Sequence, residues 1–210
     1  MKKKYIIFVL CGIFIFSTII VFNVNSSYAF LNDVKEIKNT YTVGNINITL
    51  DEANVSELGL VIDEKRVIEN YYHLMPGYTY VKDPTVTILN GSVDSYVRIL
   101  ITIDKISILK EIYGENFTLN DLYNNFNSNW IYSGETIIDD TITYEYRYQT
   151  IINGLNEDKK LEPLFDSFTV KNDLTKEQLT NLSSLEIKII AQAIQATGFQ
   201  DENTAWQSFA

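Results

Sequence analysis

The sequence predicts a mainly β protein, an antiparallel β-sandwich with short helical insertions and a short C-terminal helix. Three observations carry this expectation. First, long segments alternate apolar and polar residues with period two, which places the apolar side chains on one face of an extended chain. In segment 96–103 the odd positions Val97, Ile99, Ile101 and Ile103 are β-branched and apolar, while Arg98 and Thr102 take the other face. In segment 141–152 the even positions Ile142, Tyr144, Tyr146, Tyr148 and Ile152 oppose Glu145, Arg147 and Gln149. Second, such segments recur between Gly, Pro, Asn and Asp turn residues at a spacing that suits antiparallel neighbours better than a parallel sheet. Third, the composition is that of a packed chain: of 210 residues, 46% are hydrophobic and 21% charged. The single cysteine, Cys11, lies in an N-terminal apolar run, so a product processed beyond it has no disulfide and rests on its core for stability.

The chain opens like an export signal. Lys2, Lys3 and Lys4 form a positive start, Tyr5 to Phe22 is uncharged and apolar, and Ser27 and Ala29 place small residues before a cleavage point between Ala29 and Phe30. The expected division is therefore a signal peptide at 1–29, an N-terminal segment at 30–43 and one domain at 44–210. An uncleaved apolar run approaching the roughly 20 residues of a membrane span would instead be an anchor, so any membrane contact is expected through this segment alone. Cleavage would leave 14 basic against 27 acidic residues, a net charge of −13 where the whole chain carries −10. A chain this acidic offers no basic surface for phosphates, which excludes nucleic acid as an expected partner.

Beyond the signal, strands are expected at 41–50, 61–68, 78–89, 96–103, 130–133, 141–152 and 164–170, each bounded by turn residues. Segment 130–133 is expected to pair with 141–152 across a polar connection at 134–140. Asp104 can cap a helix carrying Ile106, Leu109 and Ile112 before Gly114, and Thr118 with Asp121 forms a capping pair ahead of Leu122 and Phe126. Segment 185–196 satisfies both periods, and its isoleucine enrichment selects a strand. Asp201 can cap a final turn or two through Trp206 and Phe209, whose rings are expected to dock on the sandwich.

The search for catalytic chemistry returns few candidates. His73 is the sole histidine, so neither a HExxH zinc site nor another two-histidine metal site can be assembled, and a Ser-His-Asp triad would have to pass through it. Its neighbours suggest a strand end entering a turn. No phosphate-binding glycine loop, nucleophile elbow or EF-hand loop occurs, and no cofactor, resident metal or catalytic residue is expected. Asp139 and Asp140 could collect a calcium ion at surface affinity, or simply form a solvated loop. Asn-x-Ser/Thr triplets at Asn47, Asn54, Asn90, Asn116 and Asn181 are what an Asn-rich chain produces by chance.

Specific strings add a family resemblance. An aromatic residue and an acid follow the cleavage point in Phe30-Leu31-Asn32-Asp33, and Tyr41-Thr42-Val43-Gly44 leads into Asn45-Ile46-Asn47-Ile48. The block Met75-Pro76-Gly77-Tyr78-Thr79-Tyr80-Val81-Lys82-Asp83-Pro84 precedes Ser95-Tyr96-Val97-Arg98, and Leu164-Phe165, Ala193-Ile194-Gln195-Ala196 and Ala205-Trp206 complete the set. These blocks resemble the TasA/camelysin family of exported biofilm matrix proteins, and within it BsaA-type pilins. The likeness spans the processed chain, with the Pro-Gly to Tyr-Val-Arg block its most distinctive part.

The resemblance implies a jelly-roll-like sandwich that is secreted and assembles into extracellular matrix fibres at the cell surface. It implies a head-to-tail homopolymer joined by donor-strand complementation, a SipW-type signal peptidase that removes the leader, and an accessory fibre protein as a further partner. The donor would be segment 30–43, with Phe30, Leu31, Val34, Ile37, Tyr41 and Val43 as its apolar residues. Phe30 and Val34 share a face, Ile37 points opposite, and only Tyr41 and Val43 alternate cleanly, so main-chain hydrogen bonds would supply much of the affinity. Lys35 and Lys38 lie in the same segment and could carry Lys-Asn isopeptide cross-links. Two alternatives remain open here: a camelysin-like cell-surface metallopeptidase, for which one histidine leaves a ligand set poor for zinc, and an accessory protein that anchors fibres.

Overall fold

The computed structural model describes residues 45–209. In chain order they form β1 (Ile48–Val55), β2 (Val61–Val67), β3 (Thr79–Val81), β4 (Thr85–Ile88), β5 (Ser92–Ile103), helix α1 (Ile106–Tyr113), a 3-10 turn (Leu119–Asp121), β6 (Tyr123–Asn124), β7 (Trp130–Ile138), β8 (Thr141–Tyr148), β9 (Ile152–Gly154), β10 (Lys159–Lys160), β11 (Ser167–Thr169), helix α2 (Lys176–Leu182), β12 (Ile187–Gln195) and helix α3 (Glu202–Gln207). One sheet has the order β10-β4-β1-β2, a second β12-β5-β8-β7 with β9 also on β5, and a small third sheet β3-β11-β6. Every pairing is antiparallel. The fold is mainly β, with the sheets curled into two half-barrels and few, short helices.

Side-chain alternation decides which face of each strand is buried. On β5, Val97, Ile99, Ile101 and Ile103 are all fully buried, and each removes about 1.5–3 kcal/mol of apolar surface cost from water. Registered pairing sets Ile99 against Tyr146 and Ala191, and Ile101 against Tyr144 and Ile189, so three neighbouring strands present one apolar face. Ile48 and Leu50 of β1 and Val86 and Ile88 of β4 supply the opposing surface, and all belong to one continuous core. The other face of β5 is covered locally by α3: the Arg98 guanidinium stacks 4.2 Å from the Trp206 ring, while its Nε donates to Gln192 at 2.8 Å. The expected docking of the C-terminal aromatics is thus made on a charged side chain.

The Lys-Asp-Pro string acquires a physical role. Segment 78–89 divides into β3 and β4 there, because Lys82 turns inward and Pro84 has no N–H for a ladder. Lys82 Nζ donates to Glu52 Oε2 of β1 at 2.8 Å in the protein interior. Asp83 accepts from the Ala53 N–H at 2.6 Å and from Arg66 of β2 at 2.5 Å, and Arg66 also reaches Asp51 at 2.8 Å. These pairs rivet the β1-β2 hairpin to the β3-β4 corner. Gly59, at φ 71°, lets that hairpin close on Tyr80: an added Cβ would lie 2.7 Å from the Tyr80 Cα.

Several expectations are corrected. β1 continues to Val55, past the expected end at Leu50. Residues 134–138 are strand, so β7 runs the length of its partner and only Asp139 and Asp140 make the turn. Asp104 does not cap α1. Its carboxylate accepts from the Glu186 N–H at 2.6 Å, and Lys105 precedes the helix in a left-handed conformation. The cap function falls to Asp140, which accepts from the Ser107 N–H at 2.9 Å and its hydroxyl at 2.7 Å. Thr118 and Asp121 do form a capping box, though on one 3-10 turn rather than on a helix reaching Phe126. Helix α2, capped by Thr175 and Gln178, was not expected.

Candidate assembly edge and aromatic cleft

The residues singled out for assembly and processing, Ala29, Phe30, Leu31, Val34, Lys35, Ile37, Lys38, Tyr41 and Val43, lie outside the described residues. The described domain has a sheet edge of the kind that can accept an added strand. Among the described residues β7 is the terminal strand of its sheet and pairs only with β8. Among the described residues no other segment hydrogen-bonds the backbone of residues 131–138 on the outer edge. Ile131, Ile137 and Ile138 are 51%, 52% and 68% exposed, and the strand contains no Lys and no Pro to discourage pairing. β2 ends the other large sheet and exposes Val61 and Ile62 beside Leu60, but it is shorter and Arg66 is committed to Asp51 and Asp83.

A β-bulge between Tyr132 and Gly134 organises the inner side of β7. The extra residue, with Gly134 at φ 142°, resets the alternation so that Glu135 follows Tyr132 on the inner face. The registered pairs are Trp130 with Tyr148, Tyr132 with Tyr146, and Glu135 with Tyr144, which put one carboxylate at the end of an aromatic row. Phe126 stacks on Tyr146 at 5.4 Å and Tyr132 lies 5.6 Å from it. The 3-10 turn closes the far side, leaving a cleft of about 330 Å³. The Tyr132 hydroxyl donates to Glu135 Oε2 at 3.0 Å. Burial pushes the Tyr146 phenol up to about 12, with Tyr132 and Glu135 adding to the effect, and pushes Tyr144 higher still, with Glu135 again contributing. Both phenols are therefore neutral at ordinary pH.

The candidates for chemistry sit apart from this cleft. His73 is exposed in the connection before β3, with its N–H donating to the Glu57 carbonyl at 2.7 Å and its carbonyl accepting from the Tyr80 hydroxyl at 2.7 Å. Among the described residues no group of three or more His, Cys, Asp or Glu side chains could hold a metal ion. Asp139 and Asp140 are exposed in the β7-β8 turn, where Asp140 also serves as the α1 cap. Among the described residues, no helix is long and apolar enough to cross a membrane. Sequence alternation marked Tyr144, Tyr146 and Trp130, but the bulge that recruits Glu135 leaves only Gly134 as a trace. No protein-family model, curated protein or solved structure matches the chain.

Proposed function

We propose that the protein is an exported structural subunit of extracellular matrix fibres, polymerising head to tail by donor-strand complementation. The observation that carries this reading is the edge of β7, open among the described residues: nine residues of extended backbone with exposed isoleucines and no gatekeeping Lys or Pro. Such an edge accepts an incoming strand through its unpaired N–H and C=O groups, and alternate side chains of the guest find apolar neighbours. The guest is segment 30–43 of a second copy, released by a SipW-type signal peptidase at Ala29. A contact between the N-terminal arm of one copy and the β7 edge of the next is heterologous, and where its rotation does not close a ring it extends into a filament. An accessory fibre protein would begin or anchor the filament with the same joint.

The test is negative-stain electron microscopy of concentrated protein spanning 30–210, beside a version lacking 30–40. The longer form is expected to give filaments and the shorter a folded, β-rich monomer, because the core strands lie outside the deleted segment. Filaments from the truncated protein would place the joint elsewhere, and persistent monomer from both would leave only the anchoring role.

A further inference from the structure

We propose that the cleft beside β7 is a receptor for the aliphatic ammonium group of a lysine side chain presented by a polypeptide. This rests on the cleft alone and holds whether or not the chain polymerises.

Three features of the cleft converge on that ligand. Its walls are the rings of Phe126, Trp130, Tyr132, Tyr144 and Tyr146, whose faces attract a cation and shelter the methylene stem behind it. Among the described residues its one charged wall is Glu135, and the charged groups that act on Tyr144 are Glu135 and Asp121, both acids, so the cleft is complementary to a positive group. Its hydrogen-bonding capacity is arranged as separate single acceptors. The Tyr132 hydroxyl donates to Glu135 Oε2 and leaves Oε1 open, and among the described residues the Tyr144 and Tyr146 hydroxyls have no hydrogen-bond partner although the two residues are 4% and 9% exposed. An ammonium presents three separate N–H donors and matches three such acceptors. A guanidinium fork bonds best to both oxygens of one carboxylate side by side, and here it would have to share Oε2 with the Tyr132 hydroxyl. The volume of about 330 Å³ suits one side chain.

The test is a nitrogen-15 NMR titration of the intact chain from residue 30. The probes are blocked lysine (Nα-acetyl-lysine N-methylamide), its norleucine and arginine counterparts, and a chitin oligosaccharide. Blocked lysine is expected to shift the resonances of residues 118–120, 130–135 and 144–146 saturably. Norleucine, which keeps the stem without the charge, and Glu135→Gln, at an exposed position that does not threaten folding, should each weaken binding by about fivefold or more. Restoring the charge with Glu135→Asp should recover part of the loss. Equal affinity for norleucine, arginine binding as well as lysine, a response to the oligosaccharide alone, or no saturable shift with lysine would each overturn the proposal.

Discussion

Tyr146 and Tyr148 share a face of β8 and differ in one bond, which separates two kinds of cost. The Tyr148 hydroxyl donates to the Glu162 carboxylate, whereas no group among the described residues takes the Tyr146 hydroxyl. Tyr148→Phe is expected to lower stability by about 1 kcal/mol, and Tyr146→Phe to be close to neutral, by urea denaturation at pH 7. Their phenols are pushed up to about 12 chiefly by burial, so between pH 10 and 12 the unfolded chain gives up protons that the folded chain retains. Stability is thus fully present below pH 10 and falls as pH rises through 12, and Tyr146→Phe should flatten that decline. At Ile99, fully buried between Tyr146 and Ala191, aspartate would place an unpaired charge in the core. Ile99→Asp is expected to abolish the cooperative unfolding transition, and Ile99→Val to cost only about 1 kcal/mol.

Between elements, Asp140 joins the β7-β8 turn to the first turn of α1 through Ser107. The hydroxyl and then the N–H of Ser107 hold its carboxyl below the ordinary 3.8, so the link is present above about pH 4 and is lost as pH falls below that. Asp140→Ala should lower the thermal midpoint at pH 7 and narrow its difference from the parent at pH 3. Neither the link nor the full extent of β7 was legible in the sequence, for related reasons. Alternation reads a strand only while its phase holds, and the bulge after Tyr132 shifts that phase by one residue. The strands whose phase is unbroken, β5, β8 and β12, were readable from Val97 to Ile103, Ile142 to Tyr148 and Ile187 to Ala193. Helix α2 escaped because seven residues with one buried leucine, Leu182, carry little periodic signal. The cap on α1 came from a residue 33 positions away in sequence, beyond the reach of any local pattern.

At the scale of the whole molecule, alternation and turn spacing were enough to specify a mainly β antiparallel fold, because burying one face of each strand is a constraint on the entire chain. The cleft was not legible, since its walls and its carboxylate meet only through register. In the proposed filament the acidic charge governs how copies meet. A subunit processed as proposed would carry a net charge of −13 and repel its neighbours over about 10 Å at 0.1 M salt, so raising ionic strength should shorten the lag of filament growth followed by light scattering. Slower growth at higher salt would show that attraction between opposite charges, not burial and backbone pairing, holds the joint. The proposed joint seats a strand from another copy on the outer edge of β7. Hydrogen exchange of the amides in residues 131–138, compared between monomer and filament, tests it most directly. Strong new protection at alternate amides along β7 is the expected result, and exchange as fast in the filament as in the monomer would contradict it.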